Sequence, residues 1–282
     1  MIKPTFFVIG AAKSGTTSLC DLIAQHPDIC FSDPKEPRYF SHDSNFEKGW
    51  QWYQIFFSNS EKALAIGEGS IHYSMRTLFP DTAKRIAQAI PDAKLIYIVR
   101  HPLDRIVSHW RMYDRTGKPE FTTLNQDVRK ESLRPNLIDA SKYWFQISAY
   151  RGLFPDNQIL ALFFEDFILD PEETVMRCFD FLNLDSQVNL TEFQKAKNVA
   201  RDKRVEKTSL RTIRANLLFE VVRKSLPRRL KKKVRESFFL TQDHGATPQW
   251  DQETREWVIE QLIEDARRFL QFYEKPDDYW LL

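Results

Sequence analysis

The pattern of this chain predicts an α/β protein in three layers, a central parallel sheet flanked by helices. Three observations carry the prediction. Short apolar runs of strand length recur at residues 6–9, 63–68, 94–99 and 158–164. Amphipathic stretches of helix length fall between them, as in successive βαβ units, which set strands parallel. The first run breaks at Gly10, passes through Ala11-Ala12-Lys13-Ser14, and restarts as a helix after Gly15. Glycine lets the backbone turn tightly there, and a helix N-terminus adds positive potential, so the loop reads as a phosphate cradle.

In chain order, residues 16–25 place Leu19, Leu22 and Ile23 on one helical face and stop at His26-Pro27, because the residue before proline is biased away from the helical region. Residues 31–40 carry Pro34 and Pro37 among charges and aromatics and read as an ordered loop. Residues 50–57 form an aromatic helix expected to pack on the sheet. Pro80 opens a helix to Ile90, where its missing N–H is harmless. The strand at 94–99 runs through Arg100 into a helix over 106–113. Ligands in such sheets sit beyond the carboxyl ends of the strands, where Lys13, Glu68 and Arg100 all fall.

Residues 116–141 are polar, charged and weakly periodic, the signature of a functional lid or mobile segment. A helix follows from Lys142 with Tyr143, Ile147 and Tyr150, and Pro171 opens another to Phe181. Beyond Asn183 the chain is polar through Lys207, then helical with Leu210, Ile213, Leu217 and Val221. The basic block 223–235 reads as a solvated helical face, with weak contact to an anionic surface as its alternative. A last amphipathic helix covers 251–273. No internal repeat or low-complexity stretch appears, so one domain over 1–282 is expected.

With 41 basic and 39 acidic residues the net charge is +2, which commits the chain to neither nucleic acid nor a strongly anionic polymer. Cys20, Cys30 and Cys178 are odd in number and lack CxxC spacing, against a disulfide framework or a zinc site. The first strand begins almost at once, leaving no room for a signal peptide, and no apolar run approaches the roughly 20 residues of a membrane span. The expectation is a cytoplasmic protein.

The loop is the most specific feature. A Walker A loop, GxxxxGK[ST], sets its lysine after the second glycine; here Lys13 lies inside the loop and Thr16-Thr17 follow Gly15. In that form it resembles the 5'-phosphosulfate-binding loop of sulfotransferases that use 3'-phosphoadenosine-5'-phosphosulfate (PAPS). Arg100-x7-Ser108 resembles their 3'-phosphate-binding element, a task that suits the planar fork of arginine. Residues 141–150, Phe154-Pro155, Glu165-Asp166-Phe167, Pro248-Gln249 and Tyr279-Trp280 are similar to the heparan sulfate N- and O-sulfotransferases and their bacterial relatives. The resemblance spans nearly the whole chain and is weakest over 116–140 and 184–247.

The resemblance implies a P-loop-type fold and an enzyme that moves a sulfuryl group from PAPS to a hydroxyl or amine of a glycan or small-molecule acceptor by in-line displacement. Adenosine 3',5'-bisphosphate is the product. Lys13 is expected to stabilise the departing oxygen while Lys13, Ser14, Gly15, Thr16 and Thr17 hold the 5' end. Arg100 and Ser108 are expected on the 3'-phosphate, with Arg204 closing over the cofactor from a late loop. Glu36, in Lys35-Glu36-Pro37-Arg38-Tyr39-Phe40, is the expected base. The flanking cations favour its ionised form, unless burial against Tyr39 and Phe40 opposes them. His72 and His109 are the alternatives. Glu68-Gly69-Ser70 departs from the family's EKS, and Lys35, Arg38 or another residue must supply the missing charge or the acceptor chemistry differs.

No Walker B carboxylate follows a strand, and no metal is expected. Two other readings compete. A P-loop kinase or NTPase needs magnesium and a lysine after Gly15, where Thr16 stands. A non-enzymatic anion-binding adaptor would use the block 223–235.

Overall fold

The computed structural model describes residues 2–58, 60–116, 121–188, 205–206, 239–240 and 248–282. Five strands, β1 (Phe6–Gly10), β2 (Ile29–Phe31), β3 (Ala65–Glu68), β4 (Lys94–Val99) and β5 (Ile159–Phe163), form one sheet in the order β2-β3-β1-β4-β5. Every neighbouring pair is parallel. The predicted class and sheet are therefore what the chain builds. Strand β2 lies in a stretch for which no strand was expected: it has three residues at the sheet edge, paired Ile29↔Ala65 to Phe31↔Gly67, too few to set up a period. Val205–Glu206 and Phe239–Leu240 pair separately and antiparallel.

Among the described residues the α-helices are α1 (Thr16–Ile23), α2 (Asp43–Phe46), α3 (Gly49–Gln54), α4 (Thr82–Ala89), α5 (Pro102–Asp114), α6 (Leu124–Asp127), α7 (Arg134–Leu137), α8 (Tyr143–Arg151), α9 (Phe164–Leu169), α10 (Pro171–Leu182) and α11 (Gln252–Phe272). The aromatic stretch divides between α3 and a 3-10 turn at Ile55–Phe57. The helix expected from Pro80 begins at Thr82. Helix α5 begins four residues before the predicted start, because Pro102 is compatible with a first helical turn.

Alternation along the strands sorts the core into two faces. Phe6, Val8, Ile96, Ile98 and Leu162 pack with Leu19, Ile23, Val175 and Phe179 of α1 and α10. Phe7, Ile9, Leu95, Tyr97 and Phe163 pack with Tyr53, Tyr143, Ile147 and Phe269 on the other side. Both faces are covered, so the strands read as continuous apolar runs, as parallel sheets do. Asp265 of α11 accepts from the Trp144 and Phe145 amides at 2.9 and 2.7 Å, capping α8 and tying the closing helix to it.

The segment read as a lid is otherwise. Over residues 121–141 the short helices α6 and α7 bury Leu124, Val128, Leu137 and Ile138 against Leu103, Ile106 and Trp110 of α5 and Val258 and Leu262 of α11. Its apolar residues are spread over several one-turn elements, so no single helical period marks them. Asp127, fully buried, accepts from Trp110 Nε1 at 2.7 Å and the Thr122 hydroxyl at 2.8 Å, which pins the segment further.

Strand β1 stands in the middle, with β3 on one side and β4 on the other. The chain winds away from β1 in one direction and returns past it in the other, so the carboxyl end of β1 is a topological switch point. The loop after Gly10 occupies it.

Candidate active site

The cradle is built by conformations that side chains resist. Gly10 has φ of 147°, and a Cβ there would run into Ser74. Lys13 is left-handed at φ of 71°, unusual for a residue with a side chain. Gly15 is left-handed at 86°, and its Cβ would stand 2.8 Å from the Phe164 ring. Ser14 is fully buried, and its Oγ has no hydrogen-bond partner. Thr16 is buried and Thr17 exposed at the start of α1, whose first amides have no intrahelical acceptors. A buried hydroxyl without a partner beside free amides fits an oxyanion.

Behind the loop lies Arg105, fully buried and the largest such side chain among the described residues. It donates to Ser141 Oγ at 2.7 Å, to the carbonyls of Asn136 and Leu137 at 2.6 and 2.7 Å, and to the Ala12 carbonyl at 3.4 Å. His109 Nδ1 lies 3.1 Å from Arg105 Nη1 and 2.9 Å from the Asn136 carbonyl. It serves one of them at a time, accepting from the arginine as a lone pair or donating to the carbonyl as N–H. Burial, then Arg105 and Lys13, push the His109 imidazole down to about 2, so the ring is neutral at physiological pH.

The second end of the site is the β4–α5 junction. Arg100 is half-buried; its guanidinium lies 4.8 Å from the Phe164 ring centre, and its Nη2 is 3.7 Å from Asp104. Ser108, also half-buried, follows Asp104 by four residues on the same helical face. Tyr143 donates to the Arg100 carbonyl at 2.6 Å, and the His101 amide donates to Glu165 Oε1 at 2.7 Å. Phe164 thus touches both ends, with Gly15 at one edge and Arg100 over its face.

Glu36 sits on the loop after β2, with Lys35 Nζ on one carboxylate oxygen and Arg38 Nη2 on the other, each at 3.3 Å. The loop lies flush on the end of β3. Ser32 N–H donates to the Gly67 carbonyl at 2.9 Å, and Gly69 N–H donates to the Lys35 carbonyl at 3.1 Å. A Cβ at Gly69 would stand 3.1 Å from Lys35 Cε, so the lysine stem runs past the place where the glycine has no side chain.

Glu68, expected among the ligand-facing groups, is instead fully buried in the core, accepting from Tyr53 and Tyr73 at 2.6 Å each and from Ser70. Burial raises its carboxyl to about 7 against the opposing hydrogen bonds. His72 is half-buried, stacked on His42 and Phe79, with its Nδ1 unpartnered. Burial, then Arg38 and His42, lower it to about 4.

The structure brings Lys13, Ser14, Gly15, Thr16 and Thr17 together, joins them through Phe164 to Arg100, and sets Glu36 on the adjoining loop. Arg204 and the block 223–235 lie outside the described residues. Sequence reasoning missed Phe164 and Arg105. Phe164 ends an apolar run and looks like one more strand residue; Arg105 looks like a helix-surface charge until the Asn136 and Leu137 carbonyls and the Ser141 hydroxyl fold over it.

The sulfotransferase-domain family profile matches residues 3–239. Heparan sulfate glucosamine 3-O-sulfotransferase 3B1 of Mus musculus is 30% identical over 190 residues, 64% of this chain and 46% of that protein. Bifunctional heparan sulfate N-deacetylase/N-sulfotransferase 3 of Mus musculus is 26% identical over 205 residues, 67% of this chain and 23% of that protein. The chain therefore spans less than half the length of these curated relatives. Among solved structures, a sulfotransferase from Alicyclobacillus acidocaldarius superposes with a TM-score of 0.70 at 23% identity over 99% of each chain. Mouse sulfotransferase SULT7A1, complexed with PAP, superposes at 0.54 with 18% identity, covering 97% of this chain and 90% of that one. At these identities the superpositions show a shared fold.

Proposed function

The chain belongs to the sulfotransferase domain family, and from that membership we propose that it transfers the sulfuryl group of PAPS to a hydroxyl or amine of a glycan or small-molecule acceptor. One observation carries the reading: a lysine inside a left-handed glycine cradle, joined through a single aromatic ring to an arginine at the next strand end.

The residues present fit that cofactor. The unpartnered Ser14 hydroxyl and the first amides of α1 supply donors for its 5' end, and Lys13 brings an ammonium to the same loop. Arg100 offers its fork to the 3'-phosphate, with Ser108 beside it on α5. PAPS supplies an activated sulfuryl group on a phosphate leaving group. Glu36 takes the proton of the acceptor hydroxyl or amine, and the cations on its two oxygens fix its orientation. Lys35, running past Gly69, provides positive charge at the exit of β3.

A single domain over 1–282 is part of this reading, supported by α11 packing back on α5 and α8. So is a reducing, cytoplasmic setting, supported by Cys20, Cys30 and Cys178, all buried and unpaired. Among the described residues no helix is long and apolar enough to cross a membrane. The names of the curated relatives favour glucosamine-containing glycans as the first acceptors to try.

Calorimetry with adenosine 3',5'-bisphosphate against ADP plus magnesium tests the assignment. The expected result is preference for the bisphosphate, lost in Arg100→Ala. Equal binding of both nucleotides overturns it.

A further inference from the structure

We propose that Glu68 is a positioning residue of this site: a buried carboxyl that, through the Ser70 and Tyr73 hydroxyls, fixes the backbone at Arg38 and Phe40 and so aims Glu36. The inference rests on Glu36 as the proton acceptor.

The connections are continuous. Ser70 Oγ donates to Glu68 Oε2 and accepts from the Arg38 amide at 3.1 Å. Tyr73 Oη donates to Glu68 Oε1 at 2.6 Å and accepts from the Phe40 amide at 3.3 Å. Tyr53 donates to the same Oε1 at 2.6 Å and stacks on Tyr39, ring centres 4.3 Å apart. Three hydroxyls converge on one carboxyl; those of Ser70 and Tyr73 accept from amides of the segment 38–40, and the Tyr53 ring stacks on its Tyr39. A hydroxyl is a one-donor group with two lone pairs; committing the protons of Ser70 and Tyr73 to Glu68 turns their lone pairs toward the loop amides.

The loop needs such a hold. Arg38 is left-handed at φ of 56°, a conformation that side-chain-bearing residues resist and that persists only where surrounding contacts enforce it. Its guanidinium places Nη2 3.3 Å from Glu36 Oε2, so a turn of the backbone at Arg38 moves both the base and one of its cations. Gly69 N–H on the Lys35 carbonyl fastens the other side of Glu36. The core uses none of these polar groups for packing alone: a leucine-like side chain would fill the volume of Glu68 without a relay.

The test uses the full chain with two mild variants, since removing the whole carboxyl side chain risks the fold. Ser70→Ala deletes one relay hydroxyl, and Glu68→Gln keeps the shape while reversing the donor at the Ser70 side. Turnover is followed as bisphosphate released from PAPS with heparan sulfate or 2-naphthol as probe acceptor, alongside calorimetry with the bisphosphate and amide hydrogen exchange. Ser70→Ala is expected to lower kcat roughly 10- to 100-fold, as misplacement of a reacting group does, with bisphosphate affinity unchanged. In a Glu36→Gln background the same substitution is expected to have no further effect, because the two residues act as one unit. Exchange at the 38–40 amides should quicken in both variants while the 10–17 loop is unaltered.

Losses that multiply in the double variant, or a Ser70→Ala loss beside a fully active Glu36→Gln, overturn the relay. So does unchanged exchange at 38–40, a readout that needs no turnover at all. Failure of bisphosphate binding in the wild-type chain, with the exchange change intact, instead counts against the sulfotransfer reading and leaves the Glu68 anchoring standing.

Discussion

Phe164 fills the space that a side chain at Gly15 would occupy, its ring 2.8 Å from where the Cβ would stand, while the guanidinium of Arg100 rests 4.8 Å from the same ring's centre. One aromatic group therefore sets the separation between the cradle and the arginine. Gly15→Ala meets both the ring and the strain of a left-handed φ, together about 2–4 kcal/mol. A fall of several degrees in Tm and loss of bisphosphate binding are expected. Phe164→Leu should keep the fold and weaken that binding by about tenfold, the loss of roughly one good contact. Wild-type affinity in Phe164→Leu, measured by calorimetry, would reduce the ring to packing.

The Arg100 guanidinium lies over the Phe164 ring and pairs with Asp104. Lysine keeps the charge but neither stacks nor forks. Arg100→Lys is therefore expected to behave nearly like Arg100→Ala toward the bisphosphate, losing about 10- to 100-fold in affinity, since a bidentate charge-assisted pair is worth about 1.5–3 kcal/mol. Affinity for a 5'-monophosphate lacking the 3' group should change little in either variant. Equal losses for both nucleotides would place Arg100 elsewhere than at the 3' end.

Much of this architecture is legible in residue order because strands buried on both faces are simple runs. Residues 94–99 show their strand by composition alone, and Gly10 and Gly15 announce backbone shapes that other residues resist. Contacts made across the fold are not legible in the same way. Glu68 sits at a strand end beside Gly69, where a ligand-facing role is the natural expectation; only the return of Tyr53 from α3 and Tyr73 from the turn at Ile71–Ser74 shows that it faces inward. The segment 121–141 failed for a related reason, its apolar residues serving two different helices, α5 and α11, at once.

Glu68 also makes stability depend on pH. Burial raises its carboxyl from 4.5 to about 7, so between those values the folded protein holds a proton that the unfolded chain has released. Its contribution is complete below about pH 4.5 and is lost as pH rises through about 7. Glu68→Gln, which does not titrate, removes this slope. Urea midpoints compared at pH 5 and pH 8 should show the wild type losing ground relative to Glu68→Gln at the higher pH. A difference between the two proteins that is the same at both values would mean the carboxyl titrates normally.

Arg105 makes the last prediction, and its geometry is unusual for a buried cation, because the acceptors it donates to are neutral. Its stabilisation comes from hydrogen bonds to Ser141 and to the carbonyls of Ala12, Asn136 and Leu137, not from an opposite charge. Arg105→Met fills much of the volume but strands those acceptors, each at about 1–3 kcal/mol. Lysine has a single ammonium and cannot span Ala12 on one side and residues 136–141 on the other. Both variants should therefore lose several kcal/mol of stability, of the order of 10 °C in Tm for a chain of this size. Both should also bind the bisphosphate less well, because Ala12 precedes the left-handed Lys13 and its carbonyl is the loop's tie to α5. If Arg105→Lys matched the wild type in Tm and in calorimetry, the guanidinium would be space-filling, and the cradle would have to hold its shape from Gly10 and Gly15 alone.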